Sequence, residues 1–129
     1  MKFHVDDIRA LRAALESMCS ALEAQAVSEN AVFDCKLVAN ELLVNALRHG
    51  GGHAVFTAEK HEDEVVIRVR SGSRFCPPEH PACSEVDSEC GRGLFLVDAL
   101  SVSRSYSEED GICAFPRVNC RAFSQIRGI

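Results

Sequence analysis

Apolar residues near the start of the chain recur at steps of three and four positions, which predicts an amphipathic helix over residues 6–26. The apolar stripe of this helix comprises Ile8, Leu11, Leu15, Met18 and Leu22. Asp6 and Asp7 stand at its beginning, where a carboxylate can accept a hydrogen bond from a free backbone N–H and suits the positive end of the helix dipole. The first predicted element is therefore a helix with one buried face.

A second helix is predicted over residues 28–49. Ser28 is its expected N-cap, and the three glycines at 50–52 are its expected stop. At about 1.5 Å per residue, a helix of this length extends over roughly 33 Å. We expect so long a helix to be central in a small domain.

Alternation of apolar and polar residues predicts two strands, over residues 53–60 and 64–70, joined by a polar turn at 61–63. The apolar face of the second strand comprises Val65, Ile67 and Val69. With its turn, the pair forms a predicted β-hairpin.

The remainder of the chain begins with a long loop over residues 71–90, which has no apolar periodicity and contains three prolines. Loops of this length in compact domains are often lids or binding loops. A third helix over 91–102 and two strands over 103–108 and 112–120 complete the prediction. Pro116 restricts the last strand to an edge position or a bulge.

This element order predicts an α+β two-layer sandwich, with the helices packed on one face of a mixed, mostly antiparallel sheet. The length of 129 residues predicts a single domain over 1–129. A composition of 47% hydrophobic and 26% charged residues excludes a disordered chain and a collagen-like fibre. No apolar run approaches the ~20 residues that span a bilayer, and no signal peptide is evident, so we expect a cytoplasmic protein that does not enter a membrane.

The net charge is −5, from 14 basic and 19 acidic residues, and no basic cluster follows a predicted helix. Because phosphate neutralisation supplies most of the affinity for nucleic acid, direct nucleic-acid binding is not expected. An acidic protein suits a basic protein partner instead.

The central helix carries a carboxylate and an amide, Glu41 and Asn45, four residues apart and therefore on one face. Val38 and Leu42 beside them are apolar. One hypothesis is a solvated edge of an amphipathic helix. The other is a site for a hard cation and a phosphate, in which the amide supplies a neutral oxygen to Mg²⁺ and the carboxylate orients a nucleophile or accepts its proton.

A glycine-rich turn, Gly91-Arg92-Gly93-Leu94, opens the third predicted helix. It is either a flexible join or a phosphate-binding turn, since glycines let the backbone approach an anion at a helix N-terminus.

The predicted loop also holds a second possible site. Cys76, His80, Cys83 and Cys90 form a ligand set that could bind tetrahedral zinc or sense redox state, or they are free thiols. The chain has seven cysteines, an odd number that favours reduced thiols. The cysteines in predicted helices and strands are most simply small core residues; they are Cys19, Cys35, Cys113 and Cys120.

The segment ELLVNALRHG, followed about 40 residues later by GRGLFLVDAL, resembles the N box and the last glycine box of the GHKL ATPase/kinase superfamily. Within that superfamily the chain is most similar to bacterial anti-sigma factors of the serine-protein-kinase type. The resemblance covers nearly the whole chain, and the predicted element order matches the family's Bergerat-type ATP-binding fold.

The resemblance implies ATP and Mg²⁺ as cofactors and assigns roles to matching positions. Glu41 falls at the catalytic base, and Asn45 at the residue that binds Mg²⁺ through the nucleotide. The other implied nucleotide-binding residues are Arg48, His49, Ser71, Gly91, Arg92, Gly93 and Leu94. The loop 71–90 falls at the ATP lid.

The adenine end departs from the family pattern. Ser71 occupies the position of the aspartate that accepts a hydrogen bond from the adenine amino group, and Ser73 that of the following glycine. Ile112 replaces a threonine near the adenine. Loss of a charge-assisted hydrogen bond weakens binding by roughly 1.5–3 kcal/mol, or about 10- to 150-fold.

The resemblance implies a regulatory protein that binds a sigma factor, an anti-anti-sigma antagonist or both, as a homodimer, with possible ATP-dependent serine kinase activity. One alternative is a nucleotide-free protein-binding module of the same fold. Another is a metal- or redox-responsive regulator that acts through the lid cysteines.

Overall fold

The fold is taken from a computed structural model, which describes residues 1–49, 51–62, 64–72, 96–107 and 111–116, the side chains of 102 and 107 excepted. Its strands and long helices, in chain order, are β1 (Lys2–Val5), α1 (Ile8–Ala24), α2 (Glu29–His49), β2 (Ala54–His61), β3 (Glu64–Ser71), β4 (Ser101–Ser107) and β5 (Gly111–Pro116). A helical segment at residues 96–100 precedes β4.

The five strands form one sheet in the order β1-β2-β3-β5-β4. Each of its four neighbouring pairs is antiparallel. Both long helices contribute to a single hydrophobic core with the strands, and α2 contacts β2, β3 and β5. The predicted α+β fold is confirmed, and α2 is its central helix.

The apolar stripe of α1 is buried as predicted at Leu11, Leu15, Met18 and Leu22. The prediction is wrong at Ile8, which is 53% exposed. Ile8 is the first residue of the helix, and its side chain lies at a groove between α1 and α2.

Both predicted N-caps are present. The Asp7 carboxylate accepts a hydrogen bond from the backbone N–H of Ala10 at 2.7 Å. The Ser28 hydroxyl accepts one from the N–H of Ala31 at 3.2 Å. These bonds satisfy donors that a helix start leaves unpaired, so each helix begins within two residues of its predicted start.

The predicted hairpin is present: β2 has the predicted length but begins and ends one residue later, β3 is one residue longer, and the turn is one residue shorter. His61 pairs with Glu64, so only two residues make the turn. Glu62 adopts φ 56°, a left-handed conformation that a two-residue hairpin turn requires.

Two predictions for the second half of the chain are wrong. Ser101 pairs with Pro116 as the start of β4, so the third helix ends before residue 101 and not at 102. β5 lies between β3 and β4, so its predicted edge position is wrong. The alternative prediction of a bulge is confirmed, since the register shifts between Ser101 and Ser103 opposite the end of β5.

The strand β1 was not predicted, because four residues give too few positions to establish an alternation. None of the helices in the described part of the chain has the length and apolar content that a membrane crossing requires.

Candidate functional site

The face of α2 that packs toward the sheet carries one buried amide. Asn45 is 3% exposed, and its Nδ2 has no hydrogen-bond partner among the described residues. A buried donor without a partner costs roughly 1–3 kcal/mol, so it requires an explanation. A solvated edge is therefore wrong for Asn45.

Glu41 lies one helical turn before Asn45 and is half-buried. Its carboxylate makes no hydrogen bond or ion pair with another described residue. The two side chains are neighbours on the helix surface, because residues four apart lie one above the other. The Glu41 carboxylate, which has no partner among the described residues, therefore lies next to the Asn45 amide, whose Nδ2 has no described hydrogen-bond acceptor.

A narrow pocket adjoins the same part of α2, where the ends of three strands meet the helix. Its walls comprise Leu42 and Ala46 from α2, Val69 and Ser71 from β3, Tyr106 from β4, and Gly111 and Ile112 from β5. Asn45 is three residues from Leu42, so these two side chains are neighbours on the helix surface, but Asn45 itself does not line the pocket. Strand alternation placed Ser71 on the same face as Val69, and both residues do line this pocket.

The close approach of β5 to β3 forms one side of the pocket and depends on Gly111. This residue adopts φ 77°, and a Cβ added to it would lie 2.3 Å from the carbonyl oxygen of Val69. Only glycine fits both the conformation and the space. Ile112, the residue after Gly111, pairs with Val69 of β3. The close approach at Gly111 therefore helps to position Ile112 at the pocket.

The polar side-chain ends on the described walls of the pocket are the hydroxyls of Ser71 and Tyr106. Ser71 and Ile112, the two positions at which the sequence departs from the family pattern, both line this pocket. An asparagine amide offers an oxygen to a hard cation and an N–H to an anion.

Arg48 and His49 are exposed in the last turn of α2, and neither lines the pocket. Both make contacts within the protein. Basic residues there also suit the negative end of the helix dipole. Their implied role in nucleotide binding stays a prediction.

The remaining predicted site residues lie outside the described residues. They are Ser73, the possible zinc ligands Cys76, His80, Cys83 and Cys90, and the glycine turn Gly91, Arg92, Gly93 and Leu94. The lid loop lies outside them as well, apart from its first two residues. Within the described part of the chain, no group of three or more metal-ligating His, Cys, Asp or Glu side chains occurs.

Among the described cysteines, Cys35 and Cys113 are buried, as the core role predicted. Cys19 is partly buried, and burial raises the pKa of its thiol. A raised pKa keeps the thiol protonated and therefore less reactive.

Two features of this region were not predicted from the sequence. Tyr106 reaches the pocket because it pairs with Ile112 across the β4–β5 hairpin, and this register was the signal that would have found it. The second is an ion pair in which Arg104 Nε and Nη2 lie 2.7 Å and 3.1 Å from the two carboxylate oxygens of Asp98. This bidentate pair fastens the helical segment 96–100 to β4.

Comparison with protein families gives one match. A family model described as a histidine kinase-like ATPase domain matches residues 3–114, from the first strand to the last. The matched range includes both α2 side chains and every described residue of the pocket. A comparison with curated proteins gave no match.

Proposed function

This chain belongs to the histidine kinase-like ATPase domain family, and from that premise we propose that it is an ATP-dependent regulatory protein of the anti-sigma type. Domains of this family generally bind ATP with Mg²⁺. The proposed activity is transfer of phosphate to a serine of an anti-anti-sigma antagonist, combined with binding of a sigma factor. We expect the protein to act as a homodimer.

The observation that carries this proposal is the buried amide of Asn45, whose Nδ2 has no hydrogen-bond partner among the described residues and which lies one helical turn from Glu41. A protein without a ligand at this place would carry the cost of that donor for nothing. A phosphate oxygen is a suitable acceptor for the N–H, and the amide oxygen is a suitable ligand for Mg²⁺. Asn45 and Glu41 therefore fit Mg²⁺ and a phosphate.

Each described residue has a defined part in this proposal. Asn45 would hold Mg²⁺ and the phosphates, and the base would lie toward Ser71 and Ile112. Bound Mg²⁺ would supply positive charge to the phosphate oxygens. Glu41 accepts the proton of the partner's serine hydroxyl as that oxygen bonds to the γ-phosphorus and ADP leaves with the electron pair of the broken bond.

A second candidate function is a nucleotide-free protein-binding module of the same fold. The favouring observation is the adenine end of the pocket, where an isoleucine and hydroxyls stand in place of the acceptor carboxylate and threonine. Calorimetry with ATP and Mg²⁺ separates the two functions, because the module would bind no nucleotide. The metal- or redox-responsive alternative rests on residues outside the described part and stays a prediction.

The composition of the pocket predicts weak ATP binding with little preference over GTP. The double substitution Ser71→Asp with Ile112→Thr restores an acceptor for the adenine amino group, so we expect ATP affinity to rise by roughly 10- to 150-fold with little change for GTP. Calorimetry of both nucleotides with Mg²⁺ measures this.

Ser105→Asp is the matched control, because it adds the same charge at an exposed position of β4. It should leave both affinities unchanged. Tight, ATP-selective binding by the parent protein would contradict this account of Ser71 and Ile112.

The net charge of −5 predicts that a partner with a basic surface is attracted over a distance. We therefore expect the association rate with a sigma factor to fall as salt rises, because ions screen the attraction beyond about 10 Å at 0.1 M. Stopped-flow measurements over a range of salt concentrations give the rate. A rate independent of salt would count against electrostatic attraction.

A further inference from the structure

Two buried apolar side chains of the sheet lie outside its hydrophobic core. Val66 is 4% exposed and Cys113 is 8% exposed, yet the core that the helices form with the strands includes neither residue. Val66 stands on β3 between the core residues Val65 and Ile67, so alternation directs its side chain to the other face of the sheet. Arg68 shares that face and pairs directly with Cys113 of β5, which places the cysteine there as well. We call this face, which is turned away from α1 and α2, the outer face.

The helices in the described part of the chain pack on the opposite face. The buried residues of α1 and α2 belong to the core, and so does Val97 of the segment 96–100. Asp98 of that segment pairs with Arg104, which stands opposite the core residue Ala114. Because no described helix covers the outer face, the burial of its two apolar side chains requires a covering segment from elsewhere in the chain.

The chain continues for thirteen residues beyond β5, and this segment, 117–129, lies outside the described residues. Six of the thirteen are apolar, namely Val118, Cys120, Ala122, Phe123, Ile126 and Ile129. When extended, thirteen residues reach up to about 43 Å, whereas neighbouring strands lie about 4.8 Å apart. The segment is therefore long enough to turn back and cross the whole sheet.

The segment also leaves the sheet at a suitable place. The register of β3 with β5 brings Val66 level with Phe115, one residue before β5 ends. The stretch 73–95 is likewise outside the described residues, but it follows the opposite end of β3 and leads into Val97 on the core side. Position therefore favours 117–129 as the cover of the outer face.

The charges favour the same arrangement. The segment contains three arginines and no acidic residue, so the rest of the chain has 11 basic and 19 acidic residues and a net charge of −8. On the outer face, Glu59 stands directly opposite Val66, and Glu64 precedes it by two residues on β3. Arg68 and Arg70 lie further along the strand, so the acidic end of the face is the end at which the segment begins. A basic segment is attracted to such a surface.

We propose that residues 117–129 fold back over the outer face of the sheet and cover Val66 and Cys113 with their apolar side chains. The segment then forms a layer on the side of the sheet that the helices leave open. Another protein can reach this face only when the segment leaves it. The inference uses no part of the proposed nucleotide site, so either proposal can fail without the other.

Alkylation of thiols in the full chain by iodoacetamide tests the proposal. Cys113 reports on the cover, and Cys35, which is fully buried in the core, reports on the rest of the fold. Phe123→Asp with Ile126→Asp places two charges among the apolar residues of the segment and opposes its burial. We expect Cys113 to react at least about tenfold faster and Cys35 to react as in the parent, as measured by mass spectrometry of peptides.

Ser124→Asp with Gln125→Asp is the matched control, because it adds the same two charges at neighbouring polar positions of the segment. Cys113 should react as slowly in this variant as in the parent. Equal reactivity of Cys113 in the parent and in Phe123→Asp with Ile126→Asp would overturn the proposal.

Photochemical cross-linking gives a second measurement that preserves the aromatic character of the segment. The photoreactive analogue benzoylphenylalanine replaces Phe123 in the full chain, and mass spectrometry locates the residues to which it links. We expect links within the same chain to the outer-face residues of β3 and β5. Links to the helices, or none to the sheet, would contradict the proposal even where the aspartate variant fails to fold.

The same experiment distinguishes a second copy of the chain as the occupant. A segment that covers its own sheet gives links within one chain, and its protection of Cys113 does not change on dilution. Links between two chains, with faster reaction of Cys113 at low protein concentration, would assign the outer face to a neighbouring copy and overturn the proposal.

Discussion

Asn45→Ala is expected to abolish Mg²⁺-dependent ATP binding while changing the free energy of unfolding by no more than about 1 kcal/mol. The amide is 3% exposed and its Nδ2 has no partner among the described residues, so removing it breaks no hydrogen bond through that donor. A ligand that uses the amide loses a bond to a charged group, which corresponds to at least a 10- to 150-fold loss of affinity. Calorimetry and thermal unfolding together measure both effects.

The same helix offers a matched control for this substitution. Asn40 is half-buried and lies at the groove between α1 and α2, away from the pocket. Asn40→Ala should leave ATP binding as it is in the parent. Equal ATP affinity in Asn45→Ala and the parent would end the assignment of Asn45 as a ligand-binding residue.

Gly111→Ala is expected to destabilise the protein by more than about 3 kcal/mol. The added Cβ would lie 2.3 Å from the Val69 carbonyl oxygen and 2.6 Å from the Arg70 Cα, and both are backbone atoms that cannot turn aside. Relief requires β5 to move away from β3, which opens the pocket wall. Thermal or urea unfolding measures the loss.

Gly52→Ala is an unusually close control. Gly52 has φ 76°, against 77° for Gly111, but a Cβ there would come no nearer than 4.0 Å to the closest atom, the Leu47 carbonyl oxygen. It should therefore show only the cost of the left-handed conformation, about 1–2 kcal/mol. Equal destabilisation of the two variants would show that the close approach to β3 contributes nothing.

The helices and the hairpin were predictable because their signals are local. The stripe of α1, the cap at Ser28 and the alternation in β3 each depend on residues within one element. The start of β4 was not predictable in this way. The apolar pattern of the third helix continues through residue 102, and the pairing of Ser101 with Pro116 ends the helix earlier. A contact distant in sequence therefore decides that boundary.

For the candidate site, too, the features set within one element were predictable and those set by contacts between elements were not. The sequence predicted that Glu41 and Asn45 share a helix face, and alternation predicted that Ser71 points with Val69. The sequence left open whether the Asn45 amide is solvated, because burial depends on how the sheet packs against α2. Tyr106 was missed because its place depends on the β4–β5 register.

The close approach at Gly111 also limits how this chain can evolve. Every single-base change of a glycine codon that replaces the residue installs a Cβ or ends the chain. Each amino-acid replacement at Gly111 therefore places a Cβ against the Val69 backbone, whereas at Gly52 the nearest atom to such a Cβ is the Leu47 carbonyl oxygen, at an ordinary contact distance of 4.0 Å. Replacement therefore costs backbone strain at both positions and a steric clash at Gly111 alone, so we expect evolution to hold glycine more strictly on the β5 side of the pocket than at the end of α2.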